Sequence, residues 1–254
     1  MISFTTDYGL SDGFVAACHG AIARLAPQVR VLDITHLIPP GDVRRGAVVL
    51  AQTVTALPQG VHLAVVDPGV GTARRPIALA AHDGSRFVGP DNGLLVDAAE
   101  ALGGIATAVH LTNGEWFASE VSATFHGRDI FAPVAARLAG GVPLRDAGPE
   151  ITDVVRLPML YVEQIPGRLI AEVQTIDHFG NVQLAARAPL LSTLPATVLV
   201  NDTPAVHTTT FGNAPAGALV LLADSAGYAA VAVNGGDAAK SLALAPGDHV
   251  TITY

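Results

Sequence analysis

The sequence predicts an α/β protein, a parallel-sheet domain followed by a smaller all-β domain. Three observations predict it. The first half alternates strand and helix patterns, the second half carries short strands, and the two are separated by a stretch where periodicity fades. A loop rich in acid and glycine also follows the apolar run Leu63–Val66. Open α/β sheets place their ligands at strand ends of that kind.

Ile2 to Thr6 forms the first expected strand, and Asp7-Tyr8-Gly9-Leu10-Ser11-Asp12-Gly13 a loop with two acids. Phe14, Cys18, Ala21, Ile22 and Leu25 recur at helical spacing, with Pro27 as the stop. Val29–Ile34 is a second strand, and Asp42–Leu57 is amphipathic through Val43, Ala47, Leu50, Val54 and Leu57. Val61–Val66 is the third strand. It breaks into Asp67-Pro68-Gly69-Val70-Gly71-Thr72-Ala73-Arg74-Arg75, where Pro68 forbids a continuing ladder and the glycines open the backbone. Strand, helix, strand, helix, strand predicts a parallel sheet with right-handed crossovers.

Ile77–Ala81 and Arg86–Gly89 flank Asp83-Gly84 as a hairpin. Pro90-Asp91-Asn92-Gly93 leads into a helix to about Leu102, and Thr107–Leu111 is another strand. Thr124-Phe125-His126-Gly127-Arg128-Asp129 opens a helix to about Ala139, with Pro133 tolerated in its first turn. Proline, glycine and aspartate gather from 140 to 158, so the domains are drawn as 1–150 and 159–254 with a linker at about 140–158. Beyond it no helix is expected. Seven short strands, from Arg168–Ile176 to His249–Thr253, read as a small β-barrel or sandwich.

Composition narrows the function. The chain has 254 residues, is half apolar and carries a net charge of −8, with no basic run. Nucleic acid is therefore excluded as the expected partner. No apolar run is long enough to span a membrane, and the start reads as a strand, not a signal peptide. One cysteine, Cys18, fits a reducing cytoplasm, and no spacing characteristic of zinc motifs occurs.

Asp7, Asp33 and Asp67 stand at or near the ends of three successive expected strands, so a parallel sheet would bring them to one crevice. Each alone also reads as a turn or cap residue. His126 lies in a glycine-flanked loop before a helix, and His36 follows the second strand. Asp177-His178-Phe179-Gly180-Asn181 joins acid, ring and amide in one turn of the second domain, equally readable as a hairpin loop.

Thr6-Asp7-Tyr8-Gly9, Asp33-Ile34-Thr35-His36, Val66-Asp67-Pro68-Gly69-Val70-Gly71-Thr72, Pro90-Asp91-Asn92-Gly93, Thr124-Phe125-His126-Gly127-Arg128-Asp129 and Phe179-Gly180-Asn181 occur in this order. Together they resemble the S-adenosylmethionine hydroxide adenosyltransferases, or SAM hydrolases, relatives of the SAM-dependent fluorinase and chlorinase. The resemblance spans nearly the whole chain. It implies a Rossmann-like α/β domain and a C-terminal β-barrel, and cleavage of S-adenosylmethionine by water to adenosine and L-methionine without metal or other cofactor. It places the catalytic groups on Asp67, Arg74 and His126, and ribose binding on Asp7. Further substrate contacts fall on Asp67, Asp177, Asn181, Phe211, Ser225, Val233 and Gly235. The family's Asn-Ser-x-Gly segment is Asp224-Ser225-Ala226-Gly227 here, a departure at its first residue. The resemblance also implies a homotrimer with sites at subunit interfaces.

Chemistry agrees with these residues. The sulfonium of the substrate leaves as a neutral thioether and needs no general acid, only a water held in line at C5′ and a group to take its proton. A halogenase is the first rival. Asp67 and Gly127 stand where halogenases carry an uncharged aromatic and a hydroxyl residue, and a carboxylate about 4 Å from a halide costs roughly 4 kcal/mol at an effective dielectric near 20. A metal-dependent hydrolase built from Asp7, Asp12, Asp33, His36, Asp67 and His126 is the second rival. A SAM- or adenosine-binding module without turnover is the third.

Overall fold

The computed structural model describes all residues, Met1–Tyr254. They form two compact units, Met1–Leu157 and Pro158–Tyr254. No helix is long and apolar enough to cross a membrane.

The first unit runs β1 (Ile2–Thr6), α1 (Phe14–Leu25), β2 (Val31–Thr35), α2 (Val43–Val54), β3 (Val61–Val65), β4 (Pro76–Ala81), β5 (Arg86–Pro90), α3 (Val96–Ala101), β6 (Ile105–His110), α4 (Ala132–Ala139) and β7 (Glu150–Ile151). Its seven-stranded sheet has the order β2-β1-β3-β5-β4-β6-β7. The first four are parallel, while β4 pairs antiparallel with both β5 and β6, and β7 antiparallel with β6. Side chains alternate across β3. Leu63 and Val65 join Cys18 and Ile22 of α1 with Val134 and Leu138 of α4, whereas Ala64 and Val66 join Leu50 of α2 with Leu95 and Ala98 of α3. Burial on both faces is why the strand reads as one apolar run. From β1 the chain moves to β2 on one side and then to β3 on the other, so the strand order reverses between β1 and β3. Asp7 and Asp67 follow these two strands.

The stretch expected as a linker belongs to the first compact unit up to Leu157. Arg75 explains part of this. Its guanidinium bonds buried Asp91 at 2.9 and 2.6 Å and Asp153 at 2.9 Å, while Asp91 Oδ1 accepts from Val155 N–H at 2.8 Å.

Helix α4 differs from expectation in its start. A π-helical turn, Gly127–Phe131, precedes it, so Pro133 stands well inside a continuous helical segment. Proline cannot bond the carbonyl four residues back. That carbonyl, of Asp129, instead accepts from Ala118 N–H at 2.8 Å.

The second unit runs β8 (Val162–Ile165), β9 (Arg168–Ile176), β10 (Val182–Arg187), β11 (Thr197–Val200), β12 (Thr203–His207), β13 (Leu219–Ala223), β14 (Tyr228–Val233), α5 (Ala238–Leu242) and β15 (His249–Thr253). Seven strands close a barrel in the order β10-β14-β13-β12-β11-β15-β9, with β9 pairing back onto β10 and β8 added at β9. Closure decides for barrel over sandwich and removes all but one edge. Leu169, Ala171 and Val173 alternate inward along β9. Helix α5 corrects the expectation of no helix here. It is five residues long, capped by Asp237 accepting from Lys240 N–H at 2.9 Å, and too short to show periodicity.

Candidate active site

Two loops of the first unit, the one after β3 and the one that carries His126, build a connected set of charges. Arg74 donates from Nε to Asp67 Oδ1 at 3.0 Å and from Nη2 to Asp67 Oδ2. The same Nη2 lies 3.1 Å from His126 Nδ1. Since a guanidinium only donates, Nδ1 is the acceptor and neutral His126 carries its proton on Nε2. Both Asp67 and Arg74 side chains are more than nine-tenths buried, and Arg74 stands 5.3 Å over the Phe131 ring. Its Nη1 is buried without an acceptor in the protein. A donor there is unspent.

Loop geometry holds these groups in place. Gly71, with φ of +76°, lets the 67–75 loop press against the carbonyl of Ala123, where any β-carbon would overlap it. Thr72 Oγ1 donates to Gly69 O at 2.7 Å. Asn92 Nδ2 donates to Val66 O at 2.9 Å, so the Pro90–Gly93 motif braces the end of β3 and, through Asp91, anchors Arg75. On the other side buried Asp129 accepts from Ser122 N–H at 2.9 Å and pairs with Arg128, fixing the turn that carries His126.

Electrostatics follow from burial. Burial pushes the Asp67 carboxyl above its ordinary value, and the Arg74 and His126 charges oppose it. Burial, helped by the Arg74 charge, holds His126 below its ordinary value, against the pull of Asp67 and Asp129. The ring is neutral at pH 7.

Asp7 lies beside this set. Its Oδ2 accepts from Gly41 N–H at 2.8 Å, and a β-carbon on Gly41 would stand 3.8 Å from Pro68. Sequence reasoning missed Gly41; its φ of +74° between Pro40 and Asp42 is the local signal. The third acid of the expected crevice goes elsewhere. Asp33 pairs with His19 and His36, so only two of the three acids share the edge between β1 and β3.

In the second unit the structure gathers most of the remaining candidates at one end of the barrel. Asp177 Oδ1 accepts from Phe179 and Asn181 N–H at 2.8 and 2.9 Å, and Oδ2 from Asn181 Nδ2 at 2.7 Å. Val182 pairs with Val231, so this turn adjoins the end of β14, where Val233 and Gly235 lie. The exposed Phe211 belongs to the loop tied there by Asn234 Nδ2 to Ala214 O at 2.8 Å. Ser225 does not join them. It sits in the turn between β13 and β14, at the opposite end of that hairpin. Asp224 holds the turn by accepting from Ala226 and Tyr228 N–H, each at 2.9 Å, and receives Gln183 Nε2.

The SAM hydroxide adenosyltransferase N-terminal domain matches residues 2–148, and the C-terminal domain of the same family matches residues 171–251. The chain belongs to the SAM hydroxide adenosyltransferase family. Within it, the (R)-S-adenosyl-L-methionine hydrolase of Salinispora arenicola is 64% identical, covering 99% of this chain and 97% of that protein. A fluorinase of an Actinoplanes species is 32% identical over the full chain and 97% of its own length. A solved structure of an uncharacterized conserved protein from Thermotoga maritima superposes with a TM-score of 0.93 at 37% identity, covering 99% of this chain and all of that one. The family's two domain models thus fall one on each compact unit.

Proposed function

We propose that this chain hydrolyses S-adenosyl-L-methionine to adenosine and L-methionine, by in-line attack of water on the ribose C5′. The buried chain Asp67–Arg74–His126 carries the reading. The water oxygen bonds C5′ as the C5′–S bond breaks, and its electron pair leaves with sulfur as a neutral thioether. One proton is released from the water. Asp67 takes it, because His126 already spends Nδ1 on Arg74 and presents a protonated Nε2. The unspent Nη1 donor of Arg74 holds the water, and the arginine opposes the upward push of burial on Asp67. Asp7, oriented by Gly41, grips the ribose hydroxyls. No step needs a metal or redox cofactor.

Asp177, Asn181, Phe211, Val233 and Gly235 form the adenine-side surface, and Ser225 a separate contact. The functional unit is a homotrimer in which the first unit of one subunit meets the barrel of the next, working in the cytoplasm. Mixing, unfolding and co-refolding Asp67→Ala and Asn181→Ala proteins tests that arrangement. A shared site regains part of its activity, and a site within one chain stays dead.

The halogenase reading is disfavoured by the carboxylate of Asp67 at the nucleophile's place. Incubation with S-adenosylmethionine in ¹⁸O water, with and without halide, decides. Adenosine labelled at O5′ is expected; a halogenated nucleoside, free adenine, or binding without product would overturn the proposal.

A further inference from the structure

Behind β1 the chain assembles a second set of ligand-type side chains that the proposed hydrolysis does not use. His19 projects from α1, Asp33 from the edge strand β2, and His36 from the residue after β2. His19 Nε2 lies 2.9 Å and His36 Nε2 3.2 Å from the same oxygen, Asp33 Oδ1. One ligand atom from each residue falls within 4.8 Å of the others. Donors about 2.0–2.1 Å from a zinc-class ion stand roughly 2.9–3.4 Å apart at octahedral to tetrahedral angles. Two of the three separations already have that length.

The state of His36 is the second observation. Its side chain is 3% exposed, yet Nε2 makes no aligned hydrogen bond. Nδ1 is 2.8 Å from Thr6 Oγ1, itself an acceptor for Tyr8 N–H at 3.2 Å. In the tautomer with Nδ1 donating to Thr6, the Nε2 lone pair faces Asp33 and is available to a cation; in the other, Nε2–H faces the carboxylate. A ligand imidazole whose other nitrogen is held by an oxygen is the usual supporting arrangement around a metal. Phe4, with its ring 4.8 Å from His36 and 5.8 Å from His19, walls one side, and the partly exposed His19 and Asp33 leave the other to water. Two imidazoles and one carboxylate suit zinc and its neighbours rather than calcium or magnesium.

We propose that His19, Asp33 and His36 bind one divalent transition metal of the zinc class, which clips α1 to the edge strand β2 and to the loop that follows it. That loop supplies His36 O to Gly9 N–H at 2.8 Å and Gly41 N–H to Asp7, so the ion steadies the ribose-side wall without entering the reaction.

The test uses the full chain, stripped with a chelator, dialysed and titrated with Co²⁺ and then Zn²⁺. One Co²⁺ per chain is expected, with visible ligand-field absorption that Zn²⁺ abolishes and a rise in the thermal unfolding temperature. His19→Gln and Asp33→Asn, both at partly exposed side chains, are expected to weaken Co²⁺ binding by about 100-fold or more. Each should keep its fold by circular dichroism and its hydrolysis rate in chelator. Absence of saturable binding overturns the site, as does binding that survives both substitutions, which would place the metal on other histidines. Hydrolysis in chelator reads the proposed function separately, so the two failures are distinguishable.

Discussion

The hydroxyl of Tyr8 occupies the space that a β-carbon on Gly127 would fill. Tyr8 follows β1 and Gly127 follows His126, so the absence of one side chain makes room for the phenol of another. Burial, with the Cys18, Asp7 and Asp67 charges, pushes that phenol far up, and it stays protonated. Gly127→Ala is expected to cost about 1–3 kcal/mol through overpacking and to lower turnover, because the shift falls beside His126. Adding Tyr8→Phe should return much of the stability. Urea unfolding of the two single variants and the double variant checks this, and strict additivity would exclude the contact.

Asp67→Asn is expected to lower kcat by at least about 10²-fold while S-adenosylmethionine binding stays close to that of the parent. Asp7→Ala should act the other way, mainly on KM, since its oxygens serve hydroxyls that do not react. Steady-state kinetics with a direct binding measurement separates the two.

Arg74→Lys is not a conservative change here. Lysine cannot reproduce the fork onto both Asp67 oxygens together with the contact to His126. A loss of kcat comparable with that of Asp67→Asn is expected, without rescue by higher substrate concentration.

The pH profile follows from the same burial. In the proposed mechanism Asp67 works ionised, and its raised pKa moves its loss upward from the ordinary carboxylate range. His126 works neutral, and its lowered pKa moves its loss downward from the ordinary histidine range. Both limbs therefore fall on the acid side. The logarithm of kcat/KM is expected to decline toward acid pH, with no loss on the alkaline side from either group. A profile that rises toward acid pH would contradict the assignment.

Stability should respond to pH through a different residue. His62 is buried in β3 against Ser3, and burial pushes it down to about 4. The unfolded chain binds a proton near pH 6.5 that the folded chain refuses until about 4, so stability is full above the unfolded value and is lost as pH falls between the two. The loss is roughly 3 kcal/mol. In His62→Gln that part of the slope should vanish, as read from urea midpoints between pH 4 and 7.

By itself the sequence determined the alternating architecture of the first unit and the loops from which the candidate site is drawn. Apolar runs such as Leu63–Val66 and spacings such as Phe14–Leu25 are local consequences of burial, and the motif loops carry their acids, arginines and histidines in fixed order. Contacts between distant loops were decided by the tertiary structure alone. Arg74 Nη2 meeting His126 Nδ1 across 52 residues fixes which ring nitrogen is the acceptor, and no spacing encodes it. Asp33 shows the same limit. It shares the strand-end pattern of Asp7 and Asp67, but its partner His19 comes from a helix 14 residues earlier. The seven strands of the second unit were legible one by one, whereas their closure depends on β9 pairing with both β15 and β10. Strand propensity is local, but barrel closure is a property of hydrogen bonds between strands far apart in the chain.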